Sequence, residues 1–218
     1  MNPAKPDAMP PDEKAAWDRY FDYLIKLLGD PDPNMRIQAA HLLGENRDPR
    51  AIGPLAELLA DNDASVRVRA VEALGRIGPA AVEHLVKALG DPDTRVRQLT
   101  TKVLGQIGEA RVVAPLLDAL RDPRLSSQAA FALTKMGATA VEALVAALRD
   151  RDPNVRWHAA RILGHIGDRR ALPELERLAR EDHAAITHSP MMEELGTRPV
   201  GTVAMSARKA VERISQKK

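Results

Sequence analysis

The residues of this chain most able to do chemistry are Trp157, His158, Arg161 and His165, which cluster at i, i+4 and i+7 spacing on one stretch of sequence. A tryptophan beside an arginine is the composition of a binding hot spot, a broad apolar face next to a fixed fork of donors. Phe131 stands one repeat away and adds to the same idea. The histidines invite a metal reading, because four of the six lie in the last third. His158 and His165 are seven residues apart, about 10 Å along a helix, whereas two nitrogens on one zinc must lie within about 4 Å. They cannot share an ion. His183 and His188 could join one of them with Asp182 or Glu193, a set that the spacing does little to support. No glycine-rich phosphate loop, nucleophile elbow or catalytic carboxylate pair is present. The sequence therefore assigns no catalytic, cofactor-binding or metal residue.

The elements that must position the cluster are set by a motif that returns roughly every 30 residues, the mark of stacked small units. It reads Asp-x-x-(apolar)-Arg, a small-residue pair, then Leu-Gly-x-Ile-Gly. It occurs at Asp32–Arg36, Asp63–Arg67, Asp93–Arg97 and Asp152–Arg156, with a degenerate copy at Asp122–Ser126. Each unit is expected to hold an outer helix A and an inner helix B. The A helices are expected at Ile52–Ala60, Ala81–Leu89, Val112–Leu120, Val141–Leu148 and Leu172–Ala179, where apolar residues recur at three and four. Each B helix opens at the Asp, whose carboxylate can cap the free amides of the first turn. Small pairs such as Ala39/Ala40 and Ala159/Ala160 let neighbouring B helices approach, with Leu43, Leu74, Leu104, Leu133 and Leu163 below them. Gly44, Gly75, Gly105 and Gly164, and then Gly78, Gly108, Gly137 and Gly167, are expected to end the helices.

Arg36, Arg67, Arg97 and Arg156 sit in first turns, where a cation opposes the helix dipole. A residue repeated against its local preference needs a nonlocal reason. The simplest is a bidentate pair with the Asp of an adjacent unit, which would make Asp32, Asp63, Asp93 and Asp152 and the four arginines a structural ladder. The fourth unit has Ser126 in place of the Arg and the sixth has Ala207, so the ladder should weaken there.

The ends differ from the middle. Residues 1–11 carry four of the sixteen prolines and read as a disordered tail. A helix from Asp12 to about Leu28 holds Trp17, Tyr20, Phe21 and Tyr23, four of the six aromatic residues. It suits a cap over the open end of a stack, or a docking helix. Near the other end, residues 181–205 interrupt the sixth unit with mixed apolar, Pro and Gly positions. That insertion reads as a lid over Trp157, a holder for a partner peptide, or a loose excursion.

The segments DNDASVRVRAVEALGRIG (61–78), DPDTRVRQLTTKVLGQIG (91–108) and DRDPNVRWHAARILGHIG (150–167) resemble the HEAT-like repeats of the phycobilisome-lyase family. The resemblance spans roughly residues 24–180. It implies an all-α fold, a right-handed α-α superhelix (HEAT-like solenoid) of about six helical hairpins, as a single domain over residues 12–218. It also implies that B helices line a concave side. Candidate partner-binding residues on that side are Trp157, His158, Arg161, His165, Phe131, Lys135, Lys102, Arg69 and Arg76. The His-Glu pairs of di-iron HEAT-repeat hydroxylases are absent, since none of the six histidines is followed by Glu.

Composition narrows the function classes. Hydrophobic content is 44% but aromatic content 3%, so the core must be aliphatic. There is no Cys, hence no disulfide framework or thiolate metal site. The net charge of +2 argues against a dedicated nucleic-acid binder. No apolar run suggests a membrane span, and the start of the chain lacks the apolar centre of a signal peptide, so a cytoplasmic location is expected. The reading that fits best is a non-catalytic scaffold that binds another protein or a peptide segment on the concave face, with no cofactor. The alternatives are a nucleic-acid binder using Arg69, Arg76, Lys102, Lys135, Arg161, Arg208, Lys209 and Arg213, interrupted by Glu45, Glu72 and Glu212, or a bilin lyase or chromophore-handling subunit.

Overall fold

The computed structural model describes residues 11–184 and 202–216. The proline-rich tail expected at the N-terminus and most of the insertion expected over 181–205 lie outside the described residues. The described residues are all-α, built from the stacked helical hairpins of the α-α superhelix class. They form two compact units, Met1–Ile107 and Gly108–Lys218.

The first unit holds α1 (Pro11–Leu27), α2 (Pro33–Asn46), α3 (Ile52–Glu57), α4 (Ala64–Ile77), α5 (Val82–Ala88) and α6 (Thr94–Ile107). The long B helices α2, α4 and α6 pack in succession. Asp32 and Asp63 cap α2 and α4 by accepting from the amides of Asn34 and Ser65. The A helices are short, and α3 is flanked by 3-10 turns over Pro49–Ala51 and Leu58–Ala60. Leu43, Leu74 and Leu104, on α2, α4 and α6, are fully buried. At one end α1 packs on α2 and buries Phe21 and Leu24, with Leu28 buried just beyond it. Trp17 Nε1 donates to Asp48 Oδ2 at 3.2 Å, and the Arg50 guanidinium lies 4.4 Å over the Phe21 ring. Asp48 is buried, which raises its carboxyl pKa, but the bonds from Arg50 and Trp17 outweigh burial and hold it below the usual range. Tyr20 and Tyr23 remain exposed.

The second unit holds α7 (Val113–Ala119), α8 (Ser126–Met136), α9 (Val141–Ala147), α10 (Pro153–Ile166), α11 (Leu172–Glu181) and α12 (Val203–Gln216). Its B helices are α8, α10 and α12, with α10 packed on both others. The degenerate fourth repeat has a short B helix: α8 has 11 residues, against 14 for α10. By composition Ser126–Ala147 would pass as a membrane-crossing rod, 22 residues of mean hydropathy 1.3. It is two helices. Gly137, at φ 57°, opens a 3-10 turn between α8 and α9, and α8 packs on α7 and α10.

The two sets of glycines divide. Gly78 and Gly167 have positive φ and stop α4 and α10. Gly44, Gly75 and Gly164 do not end helices. They lie inside α2, α4 and α10, where a side chain has no room. A Cβ on Gly164 would stand 2.8 Å from Ala210 Cα, and one on Gly44 would stand 2.6 Å from Ala73 Cα. These glycines set the close approach of successive B helices, which corrects the expectation that they are helix stops.

Candidate partner-binding site

Arg36, Arg67 and Arg156 bind successive repeats together, by a route the motif alone misassigns. Arg36 Nε and Nη2 donate to Asp61 Oδ2 and Oδ1 at 2.7 and 2.9 Å. Arg67 donates to Asp91 in the same bidentate way at 2.8 and 3.0 Å. Arg156 Nε reaches Asp182 Oδ2 at 2.5 Å. Asp61 and Asp91 stand two positions before the N-cap of the next repeat, and Asp182 closes α11; the acceptors are not Asp63 and Asp93. The motif aspartates Asp32, Asp63, Asp93 and Asp152 spend their carboxylates on the first amides of their own helices.

Each arginine also ties down its own A–B loop. Arg36, Arg67, Arg97 and Arg156 donate through Nη1 to the carbonyls of Asp30, Asp61, Asp91 and Asp150 at 2.7–2.8 Å. Asp61 is caught between burial, which raises its pKa, and the Arg36 bonds, which win and lower it. Where Ser126 replaces the Arg, Asp150 is held instead by Arg121, from the preceding loop, at 3.0 and 2.7 Å. The sequence held a sign of this: a spare arginine five residues before the gap.

The cluster around Trp157 resolves differently from its helical-wheel projection. Trp157 and Arg161 are half-buried and adjacent, with the guanidinium carbon 4.7 Å from the ring centroid. His165 is exposed one turn further on. His158 is not part of the open face. It is 5% exposed, its ring meets the Trp157 ring edge-on at 4.8 Å, and its Nδ1 is buried without a hydrogen-bond partner. Burial, and then the charge of Arg161, lower its pKa to about 4. The sequence placed His158 on the binding face because one helical step separates that face from the packed one. The structure puts it inside.

α12 supplies the other wall of a groove of about 320 Å³ lined by Trp157, Arg161, Met205, Ser206, Lys209 and Arg213, among others. Ser206 Oγ donates to the Trp157 carbonyl at 3.3 Å and locks the two helices together. Trp157 is therefore covered on one side by the sixth repeat and open on the other. The α12 wall was legible as the four-residue spacing of Met205, Lys209 and Arg213, yet Met205 and Ser206 were not singled out. His165 Nδ1 contacts the Arg161 carbonyl at 2.7 Å, and Arg213 Nη1 contacts His165 Nε2 at 3.3 Å. The tautomer with its proton on Nδ1 serves both contacts.

Among the described residues, no carboxylate lines this groove. Arg161 forms no ion pair among the described residues, and burial followed by the nearby charge of Arg213 lowers its pKa. Phe131, 65% exposed, and Lys135, whose ammonium lies 5.6 Å from its ring, stand on α8 outside the groove lining. In the first unit, Arg69 pairs with Glu72 at 2.6 Å and Arg76 pairs with Glu45. Exposed Lys102 shares a separate depression there with Arg76 and Glu72. Among the described residues, no group of three or more His, Asp or Glu is placed to hold a metal ion.

The HEAT-repeat family matches this chain over residues 14–66, 54–127 and 121–195. No curated protein matches it. Among solved structures, an engineered protein is 24% identical, with 90% of this chain and 96% of that one covered and a TM-score of 0.50. The complex of CpcE and CpcF of phycocyanin lyase from Nostoc sp. PCC7120 is 20% identical, with 89% and 94% covered and a TM-score of 0.46. A designed armadillo repeat protein in complex with peptide (KR)4 is 21% identical, with 88% and 98% covered and a TM-score of 0.47. At these identities the likeness is one of fold.

Proposed function

Because this chain belongs to the HEAT-repeat family, whose stacked hairpins commonly serve as protein-binding scaffolds, we propose that it is a non-catalytic scaffold that docks a protein segment in the groove between α10 and α12. One observation carries the reading: Arg161 is half-buried over Trp157, in an open groove, without a carboxylate partner among the described residues. Elsewhere in the molecule, arginines withdrawn from water are matched by aspartates. A cation left unmatched beside an aromatic face is free to be completed by something outside the chain.

The nucleic-acid alternative loses support in the first unit. Arg69 and Arg76, two members of the supposed basic stripe, are paired with glutamates.

Site-specific photo-crosslinking tests the proposal. A crosslinker at exposed Met205 should capture a partner from cell extract. The same crosslinker at exposed Lys87, in the other unit, should not. Trp157→Ala should abolish capture at Met205 while the helical circular-dichroism signal is kept. Equal capture from both positions, or capture indifferent to Trp157→Ala, rejects the groove as the docking site.

A further inference from the structure

We infer that the segment docking between α10 and α12 is acidic, with a carboxylate placed among Arg161, Lys209 and Arg213 and a neighbouring apolar side chain laid on Trp157 and Met205. The inference rests on the docking reading above and adds the chemistry of the partner.

Charge complementarity carries it. Three cations converge on the groove, and among the described residues its lining includes no Asp or Glu. The nearby Glu212 lies outside that lining and accepts from Gln216. Arg213 is positioned by a contact to an imidazole nitrogen rather than to a carboxylate, so its orientation is fixed and its charge is not cancelled. The Arg161 guanidinium carbon lies over the Trp157 ring, 4.7 Å from its centroid, and its N–H groups can meet a carboxylate. The apolar half of the site is equally uncovered: Met205 is 47% exposed. Methionine beside an aromatic ring makes an adaptable apolar contact.

Dimensions favour a peptide over a nucleic acid. A groove of about 320 Å³ takes a side chain or two. A phosphate backbone needs a longer track of cations, and in the first unit Arg69 and Arg76 are already engaged by glutamates.

The test uses the full chain carrying Trp17→Phe, so that tryptophan emission reports on Trp157 alone. The probes are a short end-blocked peptide of alternating leucine and glutamate, its counterpart with glutamine in place of glutamate, and a short oligothymidylate. The glutamate peptide should shift the Trp157 emission and bind at least about tenfold more tightly than the glutamine peptide, because charge-assisted bonds are the stronger kind. Added salt should weaken binding. Arg161→Ala should weaken it about tenfold or more, and exposed Lys209→Gln, which leaves the core untouched, several-fold. Equal binding of the two peptides would overturn the acidic partner and leave the docking groove standing. Failure of both peptides would remove the groove reading too. Tighter binding of the oligothymidylate at the same salt would replace a peptide partner with a nucleic acid.

Discussion

Arg67 and Arg161 both rise from second helices, and both are withdrawn from water, but their surroundings differ. Arg67 is 9% exposed and makes two bonds to Asp91, itself 8% exposed, plus one to the Asp61 carbonyl. Arg161 has the face of Trp157, the like charge of Arg213, and no carboxylate among the described residues. The first arrangement satisfies the donors of a buried fork and fixes one repeat on the next. The second leaves them for an incoming group. In this chain the same residue type is structural where its neighbours complete it and available for recognition where they do not.

The contrast predicts opposite responses to the same substitution. The largest effect belongs to the ladder. Arg67→Ala strands a buried Asp91 carboxylate and should cost about 3–5 kcal/mol of folding stability, measured by urea unfolding. Arg121→Ala, which removes a pair to Asp150 that is open to solvent, should cost no more than about 1 kcal/mol. The double change Arg67→Met with Asp91→Leu should recover most of the loss, since it leaves no unpaired charge inside. If Arg67→Ala unfolds no more easily than Arg121→Ala, the ladder is not what joins the repeats.

The next effect sharpens the boundary between packed and open faces at the Trp157 cluster. His158 is held neutral by burial and by Arg161, with its pKa lowered from 6.5 to about 4. The unfolded chain therefore binds a proton that the folded chain refuses throughout that interval. Stability from this group is full above pH 6.5 and falls as the pH drops towards 4, by about 3 kcal/mol in total. Urea unfolding of wild type and His158→Leu across that range checks it, and the variant should show a flatter profile. A His158 on the open face would produce no such slope.

Sequence periodicity located every repeat because small residues, leucines and capping aspartates each do one local job, and local jobs recur at fixed spacing. It misplaced what depends on the distance between repeats. The spacing points to Asp63 as the ladder acceptor where the structure has Asp61, because both fit the motif and only three-dimensional reach separates a cap from a bridge. The pattern makes Gly164 a helix stop, because a glycine that ends a helix and one that admits Ala210 look identical in one dimension. His158 was placed outside for a related reason: a helical projection cannot say how much of a face the next helix will cover. The half of the groove contributed by α12 lies 48 residues along the chain from α10, the separation of Met205 from Trp157, so no local pattern could join the walls. What remained legible was the pairing of Trp157 with Arg161, one turn apart on a single helix.

The smallest effect on stability is also the sharpest test of the comparison. Arg161→Ala removes a cation that burial and Arg213 both disfavour, and it also removes a stack on Trp157. A stacked guanidinium of this kind contributes about 0.5–1 kcal/mol. Loss of the stack and relief of the repulsion oppose each other, so the unfolding midpoint should move by the equivalent of no more than about 1 kcal/mol, in either direction. The ladder arginines behave otherwise, because their removal leaves a carboxylate with nowhere to turn. A loss at Arg161 as large as that at Arg67 would mean that some acidic group within the chain already completes it, and the distinction between the two arginines would collapse. A near-zero change, with the helical signal intact, would show that the fold does not depend on the arginine that the groove leaves for an incoming group.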